Sequence, residues 1–441
     1  MNILLCTTVQ WNCGDEFIRN GIIKIIKKVF GKCNLIIQNR NPDIAPKNFI
    51  KVPQFDNSIK EIKFNYSYID LVIFCGTPEW QNSRCKKVYD LILENKIPCA
   101  FIGIGDSIKS FALPEQYKVV LNKSLKIICR QSTTSQDFKK IGIFSEVLPC
   151  PSILSSPYRK IINKVRKIGL VLQNTEGTQY QCVDTKTFNF QVELYKKIYE
   201  LYNKKYEFKI IVHYIDEIYV AKQIFKNIEI AYSFDQKDYY SIYDDCDFII
   251  SPRVHGIGIA TSLCIPSIAI LHDSRGETTE LFKALPLSYN TNINDALQLF
   301  EKSINSVNIN NQILHNLVKD TYIKYISVFM KIKHQLEITK TIEYGVDIEK
   351  SNYFDIGSLE SVFVDICKNS KNKFELKEID GIWHLKAIHN SIDDSDVEFH
   401  FIKYIKYLIL AKCCIGSKKT HYLKKKNNLT KIKKTRKIFF Y

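Results

Sequence analysis

The amino-acid sequence predicts an α/β protein with two Rossmann-like open-sheet domains that face a cleft, followed by a C-terminal extension. Over residues 1–150, short and continuously apolar segments alternate with helical patterns, which is typical of a parallel sheet covered on both faces. A break at 149–167, which contains several Pro and Ser residues, precedes a second stretch where the same alternation begins again. Two successive sheets predict two lobes, and the cleft between two lobes is where ligands usually bind.

The elements of both lobes follow from the apolar pattern. The first lobe is predicted to begin with a strand at 3–9 and a helix that ends at Gly31, where the helical spacing stops. Further buried strands are predicted at 35–37, 71–74, 100–104 and 125–129, and in the second lobe at 168–172, 208–212, 228–231, 248–250 and 266–271. We therefore expect an N-terminal domain at 1–152, a C-terminal domain at 153–340 and an extension with a basic tail at 341–441.

The positive charge of the chain is concentrated in that tail. The net charge is +17, but no acidic residue follows Glu398, and 13 lysines and arginines lie beyond it. The rest of the chain is close to neutral, so we expect no nucleic-acid partner. Basic tails of this kind contact anionic membrane surfaces or remain solvated, and both alternatives stay open.

Cysteine usage and the amino terminus predict a cytoplasmic protein. The 14 cysteines are scattered, and none forms a Cys-x-x-Cys pair or a spaced Cys/His quartet. This pattern is typical of buried free thiols in a reducing compartment, so we expect no metal site. The first residues run directly into a strand without a signal-peptide pattern, and no apolar stretch approaches the length of a membrane span. Peripheral attachment at the inner face of the membrane is the alternative location.

The segment 251–256 is the strongest candidate for a functional site. It joins a buried strand to a helix of small residues, and such a turn lies at the carboxyl end of a strand, where a helix start attracts anions. Arg253 offers a charged fork to phosphate or carboxylate, and His255 can exchange a proton near neutral pH. Gly256 lets a ligand approach the backbone. An anion site is predicted, and a structural ion pair beside a satisfied histidine is the alternative.

Two other turns of the first lobe are candidates. Asn12 and Asp15 follow the first strand, where Asp15 is suited to binding but also to capping the helix that begins there. Gly103, Gly105 and Asp106 form a Gly-x-Gly turn after a buried strand, but the third glycine of a dinucleotide site is missing.

Two further arginines lie at predicted strand ends. Arg130 precedes Ser132, a suitable helix cap, and a surface arginine beside an ordinary cap is the alternative interpretation. Arg275 follows the strand at 266–271 and is near enough in sequence to share the anion site of Arg253.

Together these residues resemble the polysaccharide pyruvyl transferase family. The resemblance covers about residues 3–290 and rests on an ordered set of motifs, namely Asn-x-Gly-Asp at 12–15, a glycine turn at 75–78, Gly-x-Gly at 103–105, Arg130 with Ser132, and Ser-x-Arg-x-His-Gly at 251–256 followed by Ile-Pro at 265–266. The family is similar in fold to two-domain glycosyltransferases, so the resemblance implies a GT-B-like arrangement.

The resemblance also implies a reaction. An enolpyruvyl group would move from phosphoenolpyruvate to a sugar of a cell-surface polysaccharide or its lipid-linked precursor, forming a pyruvate ketal and releasing phosphate. Arg253 and Arg130 would hold the phosphate and carboxylate of this donor, and His255 would act as general acid or base. The same resemblance implies no cofactor, and it makes substrate-binding candidates of Asn12, Asp15, Gly103, Gly105, Asp106, Gly256 and Arg275.

Two other functions remain open at the level of sequence. A GT-B-type glycosyltransferase would bind the diphosphate of a nucleotide sugar at the same helix start. A non-catalytic glycan or membrane adaptor would use the basic tail for its main contact.

Overall fold

The computed structural model describes residues 1–7, 13–39, 69–77, 85–105, 115–175, 182–233 and 235–343, and the backbone of 373–379 and 382–388. Two predicted site residues, Asn12 and Asp106, lie outside the described residues, as does the basic tail.

The first lobe is an open α/β sheet. Its elements are β1 (Asn2–Thr7), α1 (Cys13–Phe30), β2 (Asn34–Asn39), β3 (Leu71–Cys75), α2 (Lys86–Glu94), β4 (Cys99–Ile104), α3 (Glu115–Lys123), β5 (Lys126–Cys129), α4 (Ser132–Lys140) and β6 (Glu146–Val147). These strands are parallel in the order β2-β1-β3-β4-β5-β6. All residues of β3 and β4 are buried, as expected for apolar strands with helices on both faces.

The second lobe repeats this architecture after a 3₁₀ helix, Pro151–Leu154. Its elements are β7 (Lys167–Val171), α5 (Thr185–Tyr202), β8 (Glu207–Ile211), α6 (Asp216–Ile224), β9 (Glu229–Ala231), α7 (Asp238–Asp244), β10 (Phe248–Ser251), α8 (Val254–Ser262), β11 (Ser267–Leu271), α9 (Gly276–Leu281), β12 (Leu285–Ser288), α10 (Ile293–Asn305) and α11 (Val307–Glu343). The strands are parallel in the order β12-β11-β10-β7-β8-β9. The predicted α/β fold with two open sheets is confirmed.

Each sheet has a point at which the strand order reverses. In the first sheet this point lies between β1 and β3, and in the second it lies between β7 and β10. Crevices at such switch points, outside the carboxyl ends of the strands, are the usual ligand sites of open α/β sheets. The helices α1 and α8, which follow β1 and β10, therefore begin at the two places where a ligand is expected.

The lobes are held together by the linker and by α11. One apolar cluster takes residues from both lobes, among them Ile18 of α1, Ile153 of the 3₁₀ helix and Ile257 of α8. Helix α11 begins beside the second lobe and returns to the first, where Phe329 lies 6.5 Å from Phe30 between ring centroids. The predicted domain boundary at 152/153 falls inside the 3₁₀ helix.

The structure describes one β-hairpin in the predicted extension. Its strands β13 (Lys373–Ile379) and β14 (Ile382–Ile388) form an antiparallel hairpin, and β14 pairs in parallel with β2, so the first sheet has eight strands. No helix in the described part of the chain combines the length and the apolarity that a membrane span requires.

Candidate active site

The two switch points meet across the cleft. His255 lies in the first turn of α8, and its ring packs directly against Gly14 in the first turn of α1. A Cβ atom at Gly14 would overlap this imidazole ring, so only glycine allows the two helix starts to come so close. Gly14 of the first motif and His255 of the second, which are 241 residues apart in the sequence, are thus in contact.

Arg130 completes this contact from the first lobe. Its Nη1 atom lies 3.3 Å from Nε2 of His255. Gly105 makes room for Arg130, because a Cβ there would collide with the guanidinium group and its stem. Gly103, which has φ +70°, faces the linker, and a Cβ there would stand 2.5 Å from Cδ of Pro151. The Gly-x-Gly turn therefore allows Arg130 and the linker to pack closely against it.

Arg253 is held in a buried ion pair. Its Nη2 atom contacts Oε1 of Glu217, a residue in the first turn of α6, and its Cζ atom lies 4.8 Å from the ring centroid of Tyr214. Burial disfavours the charged guanidinium, but Glu217 outweighs this effect and raises the pKa of Arg253. Arg253 is therefore a permanent cation with a fixed counter-ion. The structural ion pair that was the alternative at the level of sequence is thus present, but Arg253 also lies close enough to His255 to affect its charge.

Both arginines keep an unused donor. Within the described part of the chain, neither Nε of Arg130 nor Nε of Arg253 has a hydrogen-bond partner, although each residue is only 7% exposed. A buried N–H group without an acceptor costs free energy, roughly 1–3 kcal/mol, so native proteins rarely leave one unpaired. The acceptor that these groups lack is expected to be an anionic ligand.

The electrostatics of the cleft make His255 neutral. Burial lowers the pKa of His255 well below its usual range, and the positive charges of Arg130, Arg275 and Arg253 lower it further. An anion bound among these arginines would cancel part of their effect and raise the pKa of His255. A bound anion would therefore make protonation of this imidazole more favourable.

A clamp joins the rims of the two lobes. Glu277, in the first turn of α9, accepts hydrogen bonds from the backbone N–H groups of Ser132 (2.6 Å) and Thr133 (3.1 Å) and from Oγ1 of Thr133 (2.8 Å). Burial acts against the charge of Glu277, but these bonds outweigh it and lower the pKa of this carboxyl. The start of α4 is thus capped by a residue from the opposite lobe. We call this set of bonds the Glu277 clamp.

A buried polar chain lies beside the arginine site. Sγ of Cys13, at the start of α1, lies 3.3 Å from Nδ1 of His213, whose Nε2 atom lies 2.9 Å from Oη of Tyr243. All three residues are buried, and Cys13 belongs to the first lobe while the other two belong to the second. The chain fixes the start of α1 against the second lobe.

The described residues include no group of three or more His, Cys, Asp or Glu side chains arranged to hold a metal ion.

Comparison with known proteins identifies the family. A sequence profile of the polysaccharide pyruvyl transferase family matches residues 12–274, which is more than half of the chain. The chain belongs to this family. A comparison with curated protein sequences gave no match.

Several solved structures are similar to this chain. The UDP-GlcNAc 2-epimerase of Neisseria meningitidis, bound to UDP-GlcNAc, is 12% identical with a TM-score of 0.49, over 75% of this chain and 100% of the epimerase. The UDP-GlcNAc 2-epimerase of Methanocaldococcus jannaschii is 14% identical with a TM-score of 0.48, over 72% and 100%. The Escherichia coli heptosyltransferase WaaC with ADP is 14% identical with a TM-score of 0.41, over 68% and 99%.

The structure also describes three other predicted site residues of this pyruvyl transferase family member. Asp15 is in the first turn of α1, and its Oδ1 atom lies 4.0 Å from the position that a Cβ of Gly76 would take. Gly256 closes the turn after β10, since a Cβ there would stand 2.5 Å from Oγ of Ser251. Arg275 is partly exposed, and its Nε atom lies 2.8 Å from Oδ2 of Asp273.

Sequence reasoning missed several residues of this site. The contacts that were missed join segments that are distant in sequence. They are the contacts of Arg253 with Glu217 and Tyr214, of Glu277 with Ser132, and of Cys13 with His213. A signal for Glu217 was present, because a buried strand followed by an acidic helix start resembles the other candidate turns. The partner of that carboxylate is visible only in the fold.

Proposed function

We propose that this protein transfers the enolpyruvyl group of phosphoenolpyruvate to two hydroxyls of a sugar, in a cell-surface polysaccharide or its lipid-linked precursor. The observation that carries the proposal is the contact of Arg130 and His255 beside Arg253, where Nε of each arginine has no hydrogen-bond partner among the described residues. Phosphoenolpyruvate has a phosphate and a carboxylate, and arginines from opposite lobes suit its two anionic groups.

The first step is addition of a hydroxyl across the enol double bond. A proton is added to the methylene carbon of the donor, and positive charge develops at the carbon that bears the phosphate oxygen. The first sugar hydroxyl attacks this carbon and loses its proton. His255 is the group we assign to proton transfer, because bound anions would raise its pKa and make it an acid.

The second step forms the ketal. The bond between the central carbon and the phosphate oxygen breaks, and phosphate leaves with both electrons. The second hydroxyl of the sugar attacks the same carbon, and its proton departs with the phosphate. Arg130 and Arg253 would stabilise the charge on the leaving phosphate.

Phosphate release tests this function. The protein is incubated with phosphoenolpyruvate and candidate sugars, and we expect phosphate to appear only when an acceptor is present. His255→Ala and Arg253→Ala are expected to abolish release while the far-ultraviolet circular dichroism spectrum stays that of wild type. His334→Ala, at an exposed position of α11, is the control that should keep full activity. Activity in both cleft variants would sink the site assignment, and binding of nucleotide sugars but not phosphoenolpyruvate would favour a glycosyltransferase.

We also propose that the basic tail brings the enzyme to anionic membrane surfaces. Cosedimentation with vesicles that contain anionic lipid is expected to exceed that with neutral vesicles, and to fall at high salt. Removal of 418–441 should abolish cosedimentation without changing turnover. Equal binding to both kinds of vesicle would contradict this role of the tail.

A further inference from the structure

Glu217 is the only acidic side chain that the described residues place in an ion pair with Arg253. Its Oε1 atom contacts Nη2 of Arg253, and its Oε2 atom accepts hydrogen bonds from the backbone N–H groups of His213 (3.0 Å) and Tyr214 (3.1 Å). The side chain is 3% exposed. Both carboxylate oxygens are therefore committed, and the carboxylate cannot rotate without breaking several bonds.

These contacts fix the orientation of the Arg253 guanidinium group. Glu217 holds its Nη2 atom, and the ring of Tyr214 lies 4.8 Å from its Cζ atom. The Nε atom has no partner among the described residues. Because the rest of the group is held in place, the Nε–H group points in a fixed direction. This matters because a guanidinium group recognises an anion through the direction of its donors.

We propose that Glu217 is a positioning residue for donor transfer, and that it orients Arg253 so that the unpaired edge of the guanidinium group faces the anionic donor. This inference rests on the proposed function. Glu217 lies at the start of α6, after β8, and it also accepts hydrogen bonds from the backbone N–H groups of His213 and Tyr214. Through His213 and Cys13 the same turn contacts the start of α1, against which His255 packs.

The Glu217→Gln variant distinguishes a positioning role of Glu217 from a role in charge balance alone. A Gln side chain has the same shape but one acceptor oxygen, so it cannot accept from both the backbone N–H groups and Arg253. The cleft gains one unit of net positive charge in the variant, which favours anion binding. If Glu217 acts by positioning, binding of the donor survives while turnover falls, because a displacement near 1 Å can cost about 100-fold in rate.

Asp247 supplies a matched control. Its buried carboxylate accepts the backbone N–H groups of Arg166 (2.8 Å) and Lys167 (3.2 Å) and pairs with Lys160 (2.9 Å). It precedes β10, at the end of the sheet opposite the cleft. Asp247→Asn therefore removes a comparable buried charge from the same lobe without touching the site.

The experiment compares the full-length wild type, Glu217→Gln and Asp247→Asn. Calorimetric titration gives the Kd of phosphoenolpyruvate, phosphate release gives kcat per folded molecule, and urea unfolding gives stability. We expect Glu217→Gln to lower kcat at least about tenfold while Kd changes less than about threefold, and Asp247→Asn to keep kcat within about twofold. Glu217→Asp, which keeps the charge and shortens the reach, is the second variant and should also lower kcat if the Gln protein does not fold.

Three outcomes would overturn the inference. Wild-type turnover in folded Glu217→Gln or Glu217→Asp would show that Arg253 does not need this carboxylate. An equal loss of kcat in Asp247→Asn would make the effect one of general stability. A wild type that neither binds phosphoenolpyruvate nor releases phosphate would overturn the proposed function itself, and the positioning role with it.

Discussion

At the scale of single residues, the proposed chemistry depends on a histidine whose charge is controlled by its neighbours. Burial, Arg130, Arg275 and Arg253 all lower the pKa of His255, so its neutral form predominates at pH 7. The arginines themselves come from both lobes, and in the described part of the chain Nε of Arg130 and Nε of Arg253 have no hydrogen-bond partner. An anionic ligand bound between them could therefore accept hydrogen bonds from both arginines.

The lowered pKa of His255 predicts a pH dependence of stability. Between the folded pKa and about 6.5, the unfolded chain binds the proton that the folded protein refuses, so stability falls as the pH is lowered through this window. Relative to His255→Asn, the wild type should lose about 1 kcal/mol of unfolding free energy between pH 7.5 and 5.5. Urea unfolding in phosphate-free buffer measures this difference.

The comparison isolates His255 because other titrating groups occur in both proteins. Burial also lowers the pKa of His272, but that residue is common to the wild type and the variant. Parallel pH curves for the two proteins would contradict the neutral state of His255.

At the scale of elements, the strands and helices follow the sequence pattern closely, whereas their contacts do not. The strand predicted at 248–250 is observed as β10 at Phe248–Ser251. It could be predicted because a parallel strand that is buried on both faces has a continuous run of apolar residues in the sequence. Helix α8 begins at Val254, inside the segment 251–256 that the sequence analysis predicts as a turn. Glu217 and Glu277 contact residues that are far from them in the sequence, and no local sequence pattern predicts such contacts.

The contact between the starts of α1 and α8 predicts the effect of a single methyl group. Gly14→Ala would place Cβ inside the ring of His255, so either the ring or one helix must move. We expect stability to fall by about 1–3 kcal/mol and phosphate release per folded molecule to fall about 10- to 100-fold. Gly31→Ala is the control, because φ +68° makes that substitution strained while its Cβ meets nothing within 4 Å. Full activity of folded Gly14→Ala would refute the close packing.

At the scale of the whole molecule, the two lobes form one functional unit. The apolar cluster shared by α1, the 3₁₀ helix, α8 and α11 joins them at the back of the cleft. The Glu277 clamp joins them at the rim, and the Cys13–His213 contact joins them beside the arginines. A two-lobed fold could be predicted from the break in the sequence pattern, but the closure of the lobes is determined by these long-range contacts.

Loss of the Glu277 clamp should loosen the rim. Glu277→Ala removes three accepted hydrogen bonds and leaves the start of α4 without its cap, which should lower the unfolding free energy by about 1–2 kcal/mol. We also expect a larger radius of gyration in X-ray solution scattering. Glu280→Ala, at an exposed position of the same helix, should leave both quantities unchanged. Identical scattering of Glu277→Ala and the wild type would show that the clamp does not hold the lobes closed.

We propose that one anionic donor binds where Arg130, Arg253 and His255 meet. Calorimetric titration of the full-length protein with phosphoenolpyruvate tests this binding without knowledge of the acceptor. We predict one site per chain, at least about tenfold weaker binding in Arg130→Gln and in Arg253→Gln, and net proton uptake when titrations in buffers of different ionisation enthalpy are compared. Binding that is unchanged in both arginine variants, or no binding by the wild type, would contradict the account.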